Sequence, residues 1–312
     1  MASGAPIGGV DYPKTYQAFR DWFVDDDACL DYLEQLRWPE GFVCPVCDAR
    51  DAWRVAGRKW MCAQCGRKTS VTAGTIFHRS RTPMSTWFAA VWFLTSQKNG
   101  ISALALQSQL GFGSYETAWA WLHKLRRAMV RPDRDRLSGV VELDETFVGG
   151  VSVGKDGAGT DKIPVQIAVE RLGPRKLGRV RFAIATRPGS LELVEFACRE
   201  IEPGTTVRTD GALMLRRLDE YGYGHEPVDV YGAKEKDSVL PGVHLVASLL
   251  KRWLAGTLQF SVTDKHLGYY LDEYAFRFNR RTSGARGMLF YRLLQQAVTT
   301  DPHPLRELVA KF

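Results

Sequence analysis

The chain has 312 residues, 45% hydrophobic and 25% charged, with 42 Lys and Arg against 35 Asp and Glu, a formal charge of +7 and a pI near 9.1. This composition excludes a disordered or fibrous chain, leaves room for two or three domains, and suits a polyanionic partner, because each Lys or Arg that neutralises a phosphate releases condensed counterions; a basic surface serving only solubility is the alternative. The stretch before Tyr16 is rich in Gly and Pro and the longest apolar run, 87–94, is far short of the ~20 residues a bilayer demands, so neither a signal peptide nor a membrane span is expected and the protein should be cytoplasmic.

Apolar residues at helical spacing over 16–37, with Asp25, Asp26 and Asp27 offering an N-cap partway, predict two short helices. Residues 41–75 read as short strands and turns, punctuated by Gly66 and Gly74. Residues 83–129 read as three helices divided at Asn99-Gly100 and at 111–114, and short helices joined by tight turns predict a helix-turn-helix. A polar linker at 131–136 leads into three runs rich in β-branched residues, 140–148, 163–170 and 180–185, then a helix at 191–199. Strands at 206–209 and near 227–230 follow, and then helices at about 239–254 and 266–279. The order predicts a mixed sheet with flanking helices. The expected organisation is a multidomain α+β and α/β chain: an N-terminal helical segment (1–40), a zinc ribbon (41–80), a helix-turn-helix-like DNA-binding region (81–131) and an α/β domain (137–312).

Six cysteines in a cytosolic chain argue against a disulfide framework. Four of them form two CxxC units, Cys44-Pro45-Val46-Cys47 and Cys62-Ala63-Gln64-Cys65-Gly66, while Cys29 and Cys198 stand alone as packing residues. Two residues between thiolates let one tight turn place both sulfurs on one tetrahedral ion, and four cysteines close its shell, so Zn²⁺ here is structural and stabilises a unit too small to fold on its own core. Arg50, Arg54, Arg58, Lys59, Arg67 and Lys68 crowd this segment, which makes DNA its natural partner, with solubility again the alternative.

Residues 140–148 place Asp144 in the middle of an otherwise apolar strand, where a charge is costly unless it is paired or holds a metal; a solvated edge strand is the other reading. Glu142 shares its face of the strand and Glu145 points the other way. Asp210 ends a second strand and Gly211 permits a sharp turn after it, so Asp210 is either a metal ligand at a strand end or the cap of the next helix. Two aspartates from neighbouring strands suit Mg²⁺ or Mn²⁺.

Beyond the ribbon, Gly74-Thr75-Ile76-Phe77, Lys98-Asn99-Gly100, Thr117-Ala118-Trp119, Asp144-Glu145-Thr146, Tyr270-Leu271-Asp272-Glu273 and Arg277-Phe278-Asn279-Arg280-Arg281 occur in order over nearly the whole length. In these motifs the chain resembles bacterial insertion-sequence transposases of the IS1595 family. The resemblance implies a C-terminal ribonuclease H-like fold, a DDE-type site, and metal-dependent DNA cleavage and strand transfer at transposon ends. It makes Asp144 the first catalytic aspartate and Asp210 the second. The third ligand should come from the helix after the last strand, yet residues 243–252 carry no carboxylate. DDE sites commonly carry a basic residue seven positions after the third ligand, two turns along the same face, and counting back from Lys251 gives His244. Imidazole suits Mn²⁺ better than Mg²⁺; a helix-start or packing histidine is the other reading, with Asp237 as the fallback carboxylate.

The resemblance gives Lys251, with Arg252, a DNA phosphate near the cut. Arg277, Arg280 and Arg281 form either a phosphate-binding face or a solvated one. The expected partner is double-stranded DNA, both inverted repeats and target, bound by a homodimer or higher oligomer. The competing functions are a non-enzymatic or domesticated DNA-binding protein and a ribonuclease H-fold nuclease that cleaves without joining.

Overall fold

The computed structural model describes residues 5–131, 133–149, 162–187, 189–228, 239–258 and 262–309. In chain order these form α1 (Tyr16–Trp22), α2 (Asp26–Arg37), β1 (Ala52–Val55), β2 (Lys59–Cys62), β3 (Lys68–Ser70), α3 (Met84–Ser96), α4 (Ala103–Leu110) and α5 (Tyr115–Arg127). They continue with β4 (Val140–Val148), β5 (Ile163–Gly173), β6 (Lys176–Ile184), α6 (Ser190–Glu200), β7 (Thr206–Thr209), a 3-10 helix (Leu213–Tyr221) and β8 (Gly224–Pro227). The last four helices are α7 (Pro241–Leu258), α8 (Asp264–Phe278), α9 (Gly287–Ala297) and α10 (Leu305–Val309). Two compact units result: Met1–Arg131 with Ser283–Phe312, and Pro132–Thr282. No helix among the described residues is long and apolar enough to cross a membrane.

In the first unit the caps are those the sequence offers. Asp25 accepts the Ala28 N–H ahead of α2, and Asp26 and Asp27 complement the positive end of its dipole. Gly111, left-handed at φ 67°, ends α4, and Ser114 caps α5 by accepting the Glu116 N–H, so the two helices meet through the tight turn of a helix-turn-helix. The core is aromatic. Phe19, Phe23, Phe88 and Trp92 surround Phe290 of α9, with ring centroids 5.6–5.9 Å from it. The sequence expectation ran the C-terminal domain to residue 312, but 283–312 pack in the first unit. The physical reason is that the buried face of α9, with Leu289, Phe290 and Leu293, finds its apolar partners on α1 and α3.

In the second unit the five-stranded sheet has the order β6-β5-β4-β7-β8, with β5 antiparallel to both β4 and β6, and with β7 and β8 parallel to β4. Side chains alternate across it. Val141, Leu143 and Ala168 enter a core with α6 and the 3-10 helix, while Val148, Val165, Ile167 and Val169 enter a second core with α7 and α8. Helices on both faces of a mixed sheet form the expected ribonuclease H-like arrangement. The helix expected after Asp210 is a 3-10 helix. Its buried residues, Leu215 and Leu218, are three apart and follow the partly buried Ala212, a spacing that suits three residues per turn. β8 covers Gly224–Pro227, and residues 229 and 230 of the strand expected near 227–230 lie outside the described residues.

Candidate active site and metal centre

The ribbon is built on two knuckle turns. In each, the backbone returns to a cysteine carbonyl, Asp48 N–H to Cys44 and Gly66 N–H to Cys62, through a left-handed residue: Gly66 at φ 67° in the second, Asp48 at φ 58° in the first. A short polar side chain tolerates that region, which is why the first knuckle manages without the glycine that the sequence pattern leads one to expect. The four sulfurs lie within 4.8 Å of one another, and Cys44–Cys65 and Cys47–Cys62 are each 3.6 Å apart. Four Zn–S bonds of about 2.3 Å in a tetrahedron demand sulfur–sulfur edges of roughly 3.8 Å, so the cage fits a structural zinc.

The ribbon's basic residues divide into two groups. Arg54 pairs with Glu34, and Arg58 with Asp27 and Asp31, so these two tie the hairpin to the acidic face of α2. Arg50, Lys59, Arg67 and Lys68 stay exposed. Phe42 stacks on Trp60 at 5.6 Å and closes the small core beneath Cys44 and Cys62.

In the second unit Asp144 projects from the centre of β4 on the face covered by α7. The parallel register pairs Glu142 with Arg208, and continuing it two residues brings Asp144 level with Asp210, just beyond β7. Asp210 is exposed and one of its oxygens accepts the Ala212 N–H at 3.2 Å, so it caps the turn as well as facing Asp144. Nε2 of His244, on the first turns of α7, lies 3.6 Å from Oδ2 of Asp144. Burial pushes the Asp144 carboxyl above its usual range and the Asp210 charge adds to the rise, against opposing help from the Glu145 N–H and His244. Two carboxylates and an imidazole therefore converge where one carboxylate is poorly stabilised as an anion. The donor set is of a kind that fits a divalent cation, which would supply the missing positive charge. Asp237 lies outside the described residues.

Glu142, two residues back on the same face, has a different role. It is 2% exposed, its carboxylate accepts the Val243 N–H at 2.9 Å, and Arg171 Nε approaches it at 3.2 Å. It thus caps the N-terminus of α7 one residue from His244. A Cβ on Gly242 would stand 2.7 Å from that carboxylate, so only glycine permits the approach. Glu145 faces the other side and accepts the Gly189 N–H.

Two further supports carried no signal of their own in the sequence. Thr209, fully buried, accepts the Gly211 N–H at 3.2 Å and lies 2.8 Å from His225 Nε2, a ring that burial keeps toward its neutral form. The contact between the Thr209 hydroxyl and His225 braces the turn carrying Asp210 from β8. Lys162, at the start of β5, is near enough to Lys251 that its charge, after burial, lowers the Lys251 pKa. It precedes Ile163, which pairs with Val148 at the end of β4.

The arginine motif at the end of α8 makes contacts within the protein. Arg277, 9% exposed, is spent on Glu273 of the same helix at 2.8 Å. Arg281 binds the carbonyls of Leu177, Gly178 and Phe278, and Asn279 exchanges two hydrogen bonds with the Val180 backbone. Arg280 lies over the Phe276 ring at 4.1 Å. The bonds from Arg281 and Asn279 dock the end of α8 on β6. Lys251, half-buried, and Arg252, exposed, remain on α7.

Residues 24–68 match the transposase zinc-ribbon domain, and residues 136–279 match the ISXO2-like transposase domain. Over 259 residues, 75% of this chain and 84% of the other, the chain is 29% identical to a Halobacterium salinarum protein named as an uncharacterized protein in transposable element ISH50. The four ribbon cysteines fall inside the first matched segment, and Asp144, Asp210, His244 and Lys251 inside the second. With both domains present in that order, the chain belongs to the IS1595 family of transposases.

Proposed function

We propose that this transposase binds the inverted repeats of an insertion sequence and catalyses both cleavage and strand transfer at a DDH site made of Asp144, Asp210 and His244. The observation that carries the reading is the 3.6 Å approach of His244 to Asp144, with Asp210 level on the neighbouring strand. When Mg²⁺ or Mn²⁺ is bound, it lowers the pKa of the attacking water or 3′-hydroxyl and stabilises the leaving 3′-oxygen of an in-line displacement. Asp144 and Asp210 supply the oxygen ligands and hold them on rigid strands, and His244 supplies nitrogen from the start of α7. Lys251, with Lys162 beside it and Arg252 one residue on, orients the DNA phosphate by charge. The ribbon (41–80) and the helix-turn-helix (81–131) hold the element ends, and the catalytic domain begins near 137. Joining two ends to one target calls for a homodimer or larger assembly on the DNA.

A strand-transfer assay with labelled ends, target plasmid and Mg²⁺ or Mn²⁺ should yield joined product. Asp144→Asn and Asp210→Asn should abolish cleavage while end binding persists, because they remove ligands and not phosphate contacts. His244→Ala should cut turnover by two or more orders of magnitude, roughly the cost of one misplaced catalytic group. Near-normal turnover would withdraw His244 from the site. Cleavage without joining would leave a nuclease, and no cleavage with either metal a DNA-binding protein.

A further inference from the structure

The first unit holds a second concentration of charge, away in sequence from Asp144, Asp210 and His244. A cleft of about 720 Å³ lies between the segment leaving the ribbon, with His78 and Arg79, the C-terminal half of α5, with Lys124, and the tail carrying His303, Arg306 and Glu307. Its one lining carboxylate is taken: Glu307 lies 3.0 Å from His303 Nδ1. Lys124, Arg79 and Arg306 have no acceptor among the described residues. Lys124 is half-buried, so its ammonium has already lost much of its water, and burial lowers its pKa. His303, 6% exposed, is held below its usual range by burial and then by the nearby charge of Arg127, with Lys124 adding to it. Arg79 has φ 56°, a left-handed backbone that a long side chain rarely adopts and that tends to persist where a site needs it. Unpaired cations converging on a concave, partly desolvated surface are stabilised by a multivalent oxyanion.

We propose that this cleft holds a backbone phosphate of duplex DNA and so fixes the register of the helix-turn-helix on the element end. The inference rests on the end-binding reading above. The geometry of α5 favours a duplex as the source of the phosphate. Its first turn leaves Tyr115, Glu116 and Thr117 exposed, while Lys124 enters the cleft. From Thr117 to Lys124 is seven residues, about 10 Å at helical rise, comparable with the ~12 Å width of a major groove. One helix can therefore meet base edges at its start and a phosphate at its end on the same duplex.

The test measures binding of full-length, zinc-loaded protein to a labelled element end and to an unrelated duplex, by anisotropy, across a salt series. Wild type is compared with Lys124→Gln, Arg306→Gln and the double variant, each checked for unchanged thermal midpoint and zinc content. Arg306 is exposed, so its variant keeps the test valid if Lys124→Gln fails to fold. Each single change should weaken binding to both duplexes by a similar factor, roughly threefold to tenfold, and flatten the slope of log K against log salt by about 0.9. Unchanged affinity and slope in the double variant, with wild type binding normally, overturn the cleft proposal alone. Failure of wild type to bind either duplex overturns the end-binding reading and this inference with it. Inorganic phosphate that raises the wild-type midpoint but not that of the double variant, with the DNA salt slope unchanged, would make the cleft a free-anion site and overturn the assignment to DNA.

Discussion

Asp144 and Glu142 lie two residues apart on one face of β4, and their neighbours give them opposite work. Asp144 keeps a quarter of its side chain exposed and faces Asp210 and His244, whereas Glu142 is sealed against Arg171 and the first turn of α7. Removing one partner of a buried ion pair strands the other charge, so Glu142→Ala should cost about 3 kcal/mol, read as a lower unfolding midpoint in denaturant. Glu142→Gln keeps an oxygen for the Val243 N–H and should recover part of that loss. Gly242→Ala drives a methyl to 2.7 Å from the Glu142 carboxylate and should push α7 outward. Cleavage should then fall more than stability does, because a shift of about 1 Å in a catalytic group is costly to rate; equal loss of both would reduce Glu142 to a structural brace. The shared face of these two acids was legible in the sequence because strand periodicity is two. Their division of labour was not, since it depends on a helix some 100 residues later.

At the scale of elements, the strands that position the aspartates were readable to the residue. β4 and β7 have the expected bounds, because β-branched runs followed by glycine, at Gly149 and Gly211, leave little latitude. The C-terminal helix was placed with the wrong neighbours. Periodicity reports that α9 has an apolar face but carries no information about what covers it. Its first residue, Gly287, packs so closely that a Cβ would fall 1.7 Å from the Pro13 carbonyl oxygen. Gly287→Ala should therefore destabilise the first unit by about 1–3 kcal/mol. In hydrogen exchange the loss of protection should appear in α1, α3 and α9; a loss confined to α7 and α8 would contradict the packing. The arginines after α8 show the converse. They read as either a phosphate-binding face or a solvated one, because charge at helical spacing looks alike whether it meets solvent, DNA or the protein's own carbonyls.

For the whole molecule, metal and charge divide along the two units. The ribbon's buried core is small, and structural zinc supplies on the order of 10 kcal/mol to such folds, so a chelator should unfold the region around the four cysteines and leave the five-stranded sheet protected. Cys62→Ser should mimic this, read by zinc content and limited proteolysis; melting of both units together would show that they are not independent. By itself the sequence determined the two CxxC units and the strands that carry the two aspartates, because each rests on short-range spacing that local backbone geometry converts directly into position; His244 followed from the spacing that the family resemblance implies. Only the tertiary structure decided that His244 stands 3.6 Å from Asp144, that Glu142 holds its helix in place, that Arg281 binds backbone carbonyls of β6, and that the last thirty residues join the first unit. Those outcomes depend on which distant apolar faces and charges meet, and the burial energy that selects them is non-directional and leaves no mark in local sequence.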